Sequence, residues 1–189
     1  MRLGVFGGSF DPIHIGHLIV AEAAADVLEL ERVHFMPARQ QPFKTGYHSA
    51  GHEDRAAMLR LAIEDNPRFL LDLRELNREG PSYTVDSLRE LHAEFPTDEL
   101  CFLVGADTVR DLPEWREATK LAGLATMVAF ARPGVALPHS ELVSRIIQVP
   151  AVDLSATEVR EAVTSGRSVR YLVPAKVAEY IESHSLYRT

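Results

Sequence analysis

Between residues 7 and 17 the chain reads Gly7-Gly8-Ser9-Phe10-Asp11-Pro12-Ile13-His14-Ile15-Gly16-His17, directly after a short apolar run. Gly7 and Gly8 have no Cβ, so the backbone can turn tightly there and come close to a ligand. A helix that follows such a turn aims its first amides and its positive dipole end at the same place, which suits phosphate. His14 and His17 stand three residues apart and project from one side of the first helical turn. Gly16 between them leaves room for a flat ring, such as a nucleobase or ribose. Two imidazoles over a polyphosphate can donate hydrogen bonds to its oxygens and stabilise the charge that grows as part of it departs. Chemistry of that kind depends on positioning and charge stabilisation and needs no protein nucleophile. A His-x-x-His pair also serves metals, but no third ligand stands at a recognisable spacing. Two incidental surface histidines are the remaining alternative. The run is not a Walker loop, which ends in Lys-Ser/Thr.

A second start of helix carries similar groups. Ser155 is a good N-cap, and Glu158 three residues on completes a capping box. Thr157 and Arg160 share the first turn of the helix that follows. They place a hydroxyl and a guanidinium where phosphate oxygens could be gripped. Taken alone, this segment reads equally as an ordinary capped helix with a surface arginine.

The elements that must hold these groups follow from periodicity. Residues 2–6, 33–36, 69–73, 100–104, 126–131 and 146–149 are short apolar runs bounded by breakers, as buried parallel strands are. Between them lie stretches with helical spacing: 15–28, 53–65 with Met58, Leu59, Ala62 and Ile63 inward, and 84–95 with Val85, Leu88, Leu91 and Phe95 on one face. Residues 156–164 and 174–183 are amphipathic helices. The alternation predicts a Rossmann-like α/β fold: a doubly wound parallel sheet with helices on both faces and a small C-terminal helical part, about residues 155–189. In such sheets ligands sit beyond the carboxyl ends of the strands, where strand order reverses. Residues 38–52 are polar and without periodicity, and read as a loop.

Bulk properties narrow the class. A chain of 189 residues fits one domain with a sizeable core. At 46% hydrophobic and 25% charged it is neither disordered nor membrane-like in composition. A net charge of -7 argues against a general nucleic-acid binder. The single cysteine, Cys101, excludes an intrachain disulfide and reads as a small buried hydrophobe in LCFLVGA. No apolar stretch is long enough to span a membrane and no secretory leader is visible, so a cytoplasmic setting is expected. The sequence leaves a homo-oligomer open.

Residues 14–17 spell HIGH, the ATP-binding signature shared by class I aminoacyl-tRNA synthetases and small nucleotidyltransferases. The chain is too short for a synthetase and lacks a KMSKS loop. The longer string GGSFDPIHIGH resembles the bacterial nicotinate-nucleotide adenylyltransferases, and the resemblance runs from Gly4 to Tyr187. LSATEVR at 154–160 is similar to that family's I-S-x-T-x-I-R motif. GPSYTVDSL at 80–88 is similar to its G-x-S-Y-T-x-D-T-L segment. Gly105-Ala106-Asp107-Thr108 followed by Trp115 matches its G-x-D…L…W pattern. The segment 37–44 keeps Pro37, Pro42 and Lys44 of the family's P-x-x-x-P-P-H-K, but has Gln41 for a proline and Phe43 for a histidine.

The resemblance implies adenylyl transfer from ATP to nicotinate mononucleotide, giving deamido-NAD and pyrophosphate in NAD biosynthesis. Mg²⁺ would accompany the triphosphate, held mainly by phosphate oxygens and water. It implies ATP binding by Gly7, Gly8, Ser9, Phe10, His14, His17, Lys44, Ser155, Thr157 and Arg160, with His14 and His17 catalytic. Thr84, Asp107 and the stacking face of Trp115 would hold the mononucleotide. Asp107 reads equally as a helix N-cap, and both roles are compatible. Related transferases that take phosphopantetheine or nicotinamide mononucleotide, and a non-catalytic nucleotide sensor, are the rival expectations.

Overall fold

The computed structural model describes residues 1–40, 49–131 and 138–188. In chain order its elements are β1 (Arg2–Gly8), α1 (Ile15–Leu28), β2 (Arg32–Pro37), α2 (His52–Ile63), β3 (Phe69–Leu71), α3 (Arg74–Asn77) and α4 (Thr84–Glu94). There follow β4 (Glu99–Gly105), α5 (Ala106–Val109), a 3₁₀ turn at Leu112–Glu114, α6 (Ala118–Leu121), β5 (Thr126–Ala131), β6 (Arg145–Gln148), α7 (Ala156–Thr164) and α8 (Ala175–Ser183). The six strands form one sheet in the order β3-β2-β1-β4-β5-β6, and every pairing is parallel. This is the expected Rossmann-like arrangement. Strand order reverses between β1 and β4, which opens a crevice at their carboxyl ends.

Period-two alternation sends neighbouring strand residues to opposite faces. Along β4, Cys101 and Leu103 join one buried cluster with Phe6, Phe35, Val20 and Val159. Leu100, Phe102 and Val104 join the other, with Val5, Val85 and Leu88. Helices α1, α2, α7 and α8 cover the first face, and α4 and α6 cover the second. The inner side of α1 carries Ala21, Ala24 and Ala25, all buried, whose small side chains let the helix lie close to the sheet.

Some boundaries differ from expectation. β1 continues through Gly7 and Gly8, which keep register with Met36 and Pro37 of β2, so the turn begins at Ser9. β3 ends at Leu71: the Asp72 amide still bonds to the Phe35 carbonyl of β2, and the Asp72 carboxylate then accepts from the Arg74 amide at 3.1 Å as the chain turns into α3. The helices α3, α5 and α6 are four residues each, too short to leave a hydrophobic period in the sequence. Among the described residues no helix is long and apolar enough to cross a membrane.

Candidate active site

At the carboxyl ends of β1 and β4 lies a cavity of about 950 Å³, near the upper end of the roughly 300–1,000 Å³ usual for small-molecule sites. His14, His17, Thr157 and Arg160 line it together with Thr84 and Trp115. Groups from both ends of the chain thus share one hollow. Gly7, Gly8, Ser9, Phe10 and Ser155 also border it. Lys44, Gln41 and Phe43 lie outside the described residues, as does the side chain of Asp107, whose backbone belongs to α5.

The imidazoles of His14 and His17 stack, with ring centroids 3.7 Å apart and planes 28° apart. The His14 backbone amide donates to His17 Nδ1 at 3.2 Å. With Nδ1 accepting, the His17 proton resides on Nε2, and the ring presents a donor on its far side. The rings of Phe6 and Phe10 meet His17 edge-on at 6.0 and 5.1 Å and fix its plane. Two amides expected to face phosphate are already engaged. That of His14 is used by His17, and that of Ile15 donates to the Leu172 carbonyl at 2.9 Å. The two imidazoles of this turn border the cavity.

Gly16 borders the cavity, and its small size has a second consequence. A Cβ there would lie 3.0 Å from His14 Nδ1 and 3.4 Å from Val152. The missing side chain therefore makes room for the His14 imidazole itself. Phe10, which borders the cavity, is 2% exposed and packed in the core, while its backbone adopts a left-handed φ of 48°. Its ring supports His17. A non-glycine residue held in that region marks a turn whose conformation is imposed by its surroundings.

On the opposite lip, the expected capping box of α7 is present. Ser155 Oγ donates to Glu158 Oε2 at 2.7 Å and accepts from the Glu158 amide at 3.2 Å. Its hydroxyl proton is thereby committed, which leaves Thr157 and Arg160 as the side-chain donors of this lip. Arg160 is held at two points: Nη1 donates to the Asp11 carbonyl at 2.7 Å and Nη2 to Thr157 Oγ1 at 3.1 Å. Both contacts leave further guanidinium hydrogens for a phosphate.

Thr84 opens α4, and Tyr83 before it packs against the second cluster. Trp115 follows the 3₁₀ turn and is partly buried, its ring meeting Phe102 edge-on at 6.0 Å. Arg116 lies over the Tyr83 ring at 4.7 Å from its centre, which joins the two segments.

Three buried groups escaped the sequence reading. Asp11 sits inside the glycine-rich run, and its carboxylate accepts from the amides of Ser49 at 2.7 Å and Ala50 at 3.1 Å. Arg55, fully buried on α2, donates from Nη1 to the Ser9 carbonyl at 2.6 Å. Burial lowers its affinity for the proton and the neighbouring Asp11 opposes this. Glu75 on α3 lines the cavity and accepts from Ser87 Oγ at 2.7 Å; burial pushes its carboxyl above the usual range against that hydrogen bond. The sequence held no signal for Arg55 or Glu75, because polar residues in helical segments read as solvent-facing until packing is known.

A cytidylyltransferase-like family model matches residues 5–162. A probable nicotinate-nucleotide adenylyltransferase of Thermus thermophilus is 50% identical over 188 residues, covering all of both chains. One of Thermomicrobium roseum is 44% identical over 197 residues, covering all of this chain and 92% of its own. The fold is shared with Plasmodium falciparum nicotinic acid mononucleotide adenylyltransferase complexed with NaAD, at a TM-score of 0.78 and 19% identity over 98% of this chain and 97% of that one. With a sheet reversal, a HIGH turn and a second helix start brought to one cavity, and with such identity along its whole length, the chain belongs to the nicotinate-nucleotide adenylyltransferase family of nucleotidyltransferases.

Proposed function

We infer that this protein transfers the adenylyl group of ATP to nicotinate mononucleotide, releasing pyrophosphate and forming deamido-NAD in NAD biosynthesis. The observation that carries this reading is the convergence of His14, His17 and Arg160 with Thr84 and Trp115 on a single cavity.

The acceptor's 5′-phosphate oxygen forms a bond to the α-phosphorus of ATP, and the bond from that phosphorus to the bridging oxygen of the β-phosphate breaks. The acceptor phosphate is already ionised, so no base and no covalent enzyme intermediate are required. Negative charge moves onto the departing pyrophosphate. His17 Nε2–H, the His14 ring and the Arg160 guanidinium are the groups placed to receive it. They are fixed before the ligand arrives, so little reorganisation accompanies the reaction. Thr157 adds a hydroxyl to the same lip. Thr84 and the indole of Trp115 hold the pyridine ring, the indole by stacking.

The donor set of the cavity, the imidazoles of the HIGH turn with the Arg160 guanidinium and Thr157 hydroxyl of α7, fits phosphate oxygens better than a hard cation. Mg²⁺ would thus enter on the triphosphate and add to the neutralisation of its charge. ATP and a pyridine mononucleotide are cytoplasmic metabolites, and that is the setting this reading implies.

The test is pyrophosphate release with ATP and, in parallel, nicotinate mononucleotide, nicotinamide mononucleotide or phosphopantetheine. Turnover with the acid at least tenfold above the others is the expected result. Release with none of them, or preference for phosphopantetheine, overturns the assignment.

A further inference from the structure

Asp11 is the point where four separated segments meet. Its carboxylate accepts from the amides of Ser49 and Ala50 and, at 2.8 Å, from the Tyr187 hydroxyl on Oδ1. Its carbonyl accepts from Arg160 Nη1 at 2.7 Å. The partners at residues 160 and 187 are 149 and 176 positions away in sequence.

We propose that Tyr187 is a positioning residue for the nucleotide: through Asp11 its hydroxyl holds the loop carbonyl that aims Arg160 into the cavity. The proposal rests on the reading that this cavity takes ATP.

Three observations support it. Tyr187 is bound at both ends of its structure, by its hydroxyl to Asp11 and by its carbonyl, which accepts from Thr164 Oγ1 of α7 at 3.0 Å. Thr164 lies one helical turn beyond Arg160 on α7, and its hydroxyl is also 3.0 Å from the Arg160 carbonyl. The same residue therefore braces the helix that carries the guanidinium and the loop carbonyl that guanidinium touches. Second, the Tyr187 backbone has a φ of 61°, a region that disfavours a β-carbon. Such a conformation persists where the surroundings impose it, and here the preceding Leu186 amide is fixed to the Ile181 carbonyl at 3.0 Å while the Tyr187 ring packs on the first hydrophobic cluster. Third, burial, with the Asp11 carboxylate beside it, pushes the Tyr187 phenol well above its ordinary range. The hydroxyl keeps its proton and donates to Asp11.

Sequence separation explains why no motif shows this. The hydroxyl is neither on the cavity lining nor near the HIGH turn in the chain, and only the packing of the segment after α8 brings it there.

The experiment compares wild type with Tyr187→Phe, which keeps the ring in its cluster and removes only the hydroxyl. The expected result is an increase of about tenfold in KM for ATP, on the scale of losing one hydrogen bond to a charged group, with KM for the mononucleotide unchanged. Asp11→Asn should give an equal or larger effect, and the double variant should be no worse than Asp11→Asn alone, since both act through one contact. Calorimetric binding of a non-hydrolysable ATP analogue should show the same weakening. That readout needs no acceptor, so it stands apart from the assignment of the reaction. Wild-type kinetics in Tyr187→Phe, a parallel rise in both KM values, or fully additive losses in the double variant would each overturn the proposal. Failure of wild type to bind the analogue would instead overturn the reading of the cavity.

Discussion

The two walls of the cavity grow from opposite faces of one sheet and are stiffened in different ways. The wall proposed to face phosphate, built from α1, α7 and the turn after β1, belongs to the first hydrophobic cluster. Its working groups are tied by directed hydrogen bonds: Arg160 to Asp11, Arg55 to Ser9 and His14 to His17. The wall proposed for the acceptor, built from α4 and the segment after β4, belongs to the second cluster. There Tyr83 and Trp115 are placed by packing against Val85, Leu112 and Phe102, with ion pairs such as Arg89–Glu117 at 2.7 Å on the outside. The contrast follows from the task of each wall. Stabilising a moving charge requires donors that do not reorient, and directional hydrogen bonds fix orientation. Holding a flat ring requires a shaped apolar surface, which packing supplies.

Given that contrast, the walls should fail differently. The largest effect is expected from His17→Ala, which on the proposed reading removes a donor to the leaving group. Its kcat should fall by roughly 10²-fold or more with little change in KM for the mononucleotide. Near-normal turnover in a pyrophosphate-release assay would remove His17 from the chemistry.

Gly16→Ala probes the same wall by geometry alone. The added methyl meets His14 Nδ1 at 3.0 Å and displaces the ring, so kcat should drop by about 30-fold, the scale of a sub-ångström misplacement. Full activity would mean that the His14 position is not critical.

On the acceptor wall, Trp115→Ala should raise KM for nicotinate mononucleotide by about tenfold, in line with the loss of one aromatic stacking contact, and leave KM for ATP unchanged. An equal rise in both constants would show that the walls are not independent.

The smallest effect on activity is expected behind the acceptor wall. Burial alone would raise the Asp72 carboxyl, but hydrogen bonds from His34 and Arg74 outweigh it and hold the group at about 2, against 3.8 for an unperturbed aspartate. Because the folded-state value is depressed, the stabilisation is present above about pH 4 and is lost as pH falls from about 4 through about 2. It amounts to roughly 2 kcal/mol. Asp72→Asn should therefore lower the thermal midpoint at neutral pH by about 5 °C, flatten the acid limb of stability against pH, and leave turnover unaltered. An unchanged acid limb would show that this pair does not anchor α3 beneath the wall.

The fold class could be read before any coordinates because parallel strands and their covering helices write two periods into the chain. Residues 100–104 and 15–28 illustrate both, and the observed elements are Glu99–Gly105 and Ile15–Leu28. The capping box at Ser155 and Glu158 was equally legible, since its residues are neighbours. Elements of one turn, such as α3 and α5, were not, because four residues cannot display a period.

The groups proposed to grip a phosphate, and the turns on which they stand, are legible in the chain because those groups are local and their spacing is set by the helix. What supports them emerges only on folding. Folding buried Arg55 behind Ser9, gave the space at Gly16 to an imidazole, turned the Phe10 ring into the core, and carried the Tyr187 hydroxyl to Asp11. The physical reason is range. A cap or a helical face depends on residues three or four apart, whereas a partly buried hydrogen bond between positions 11 and 187 exists only once folding has brought both ends of the chain together.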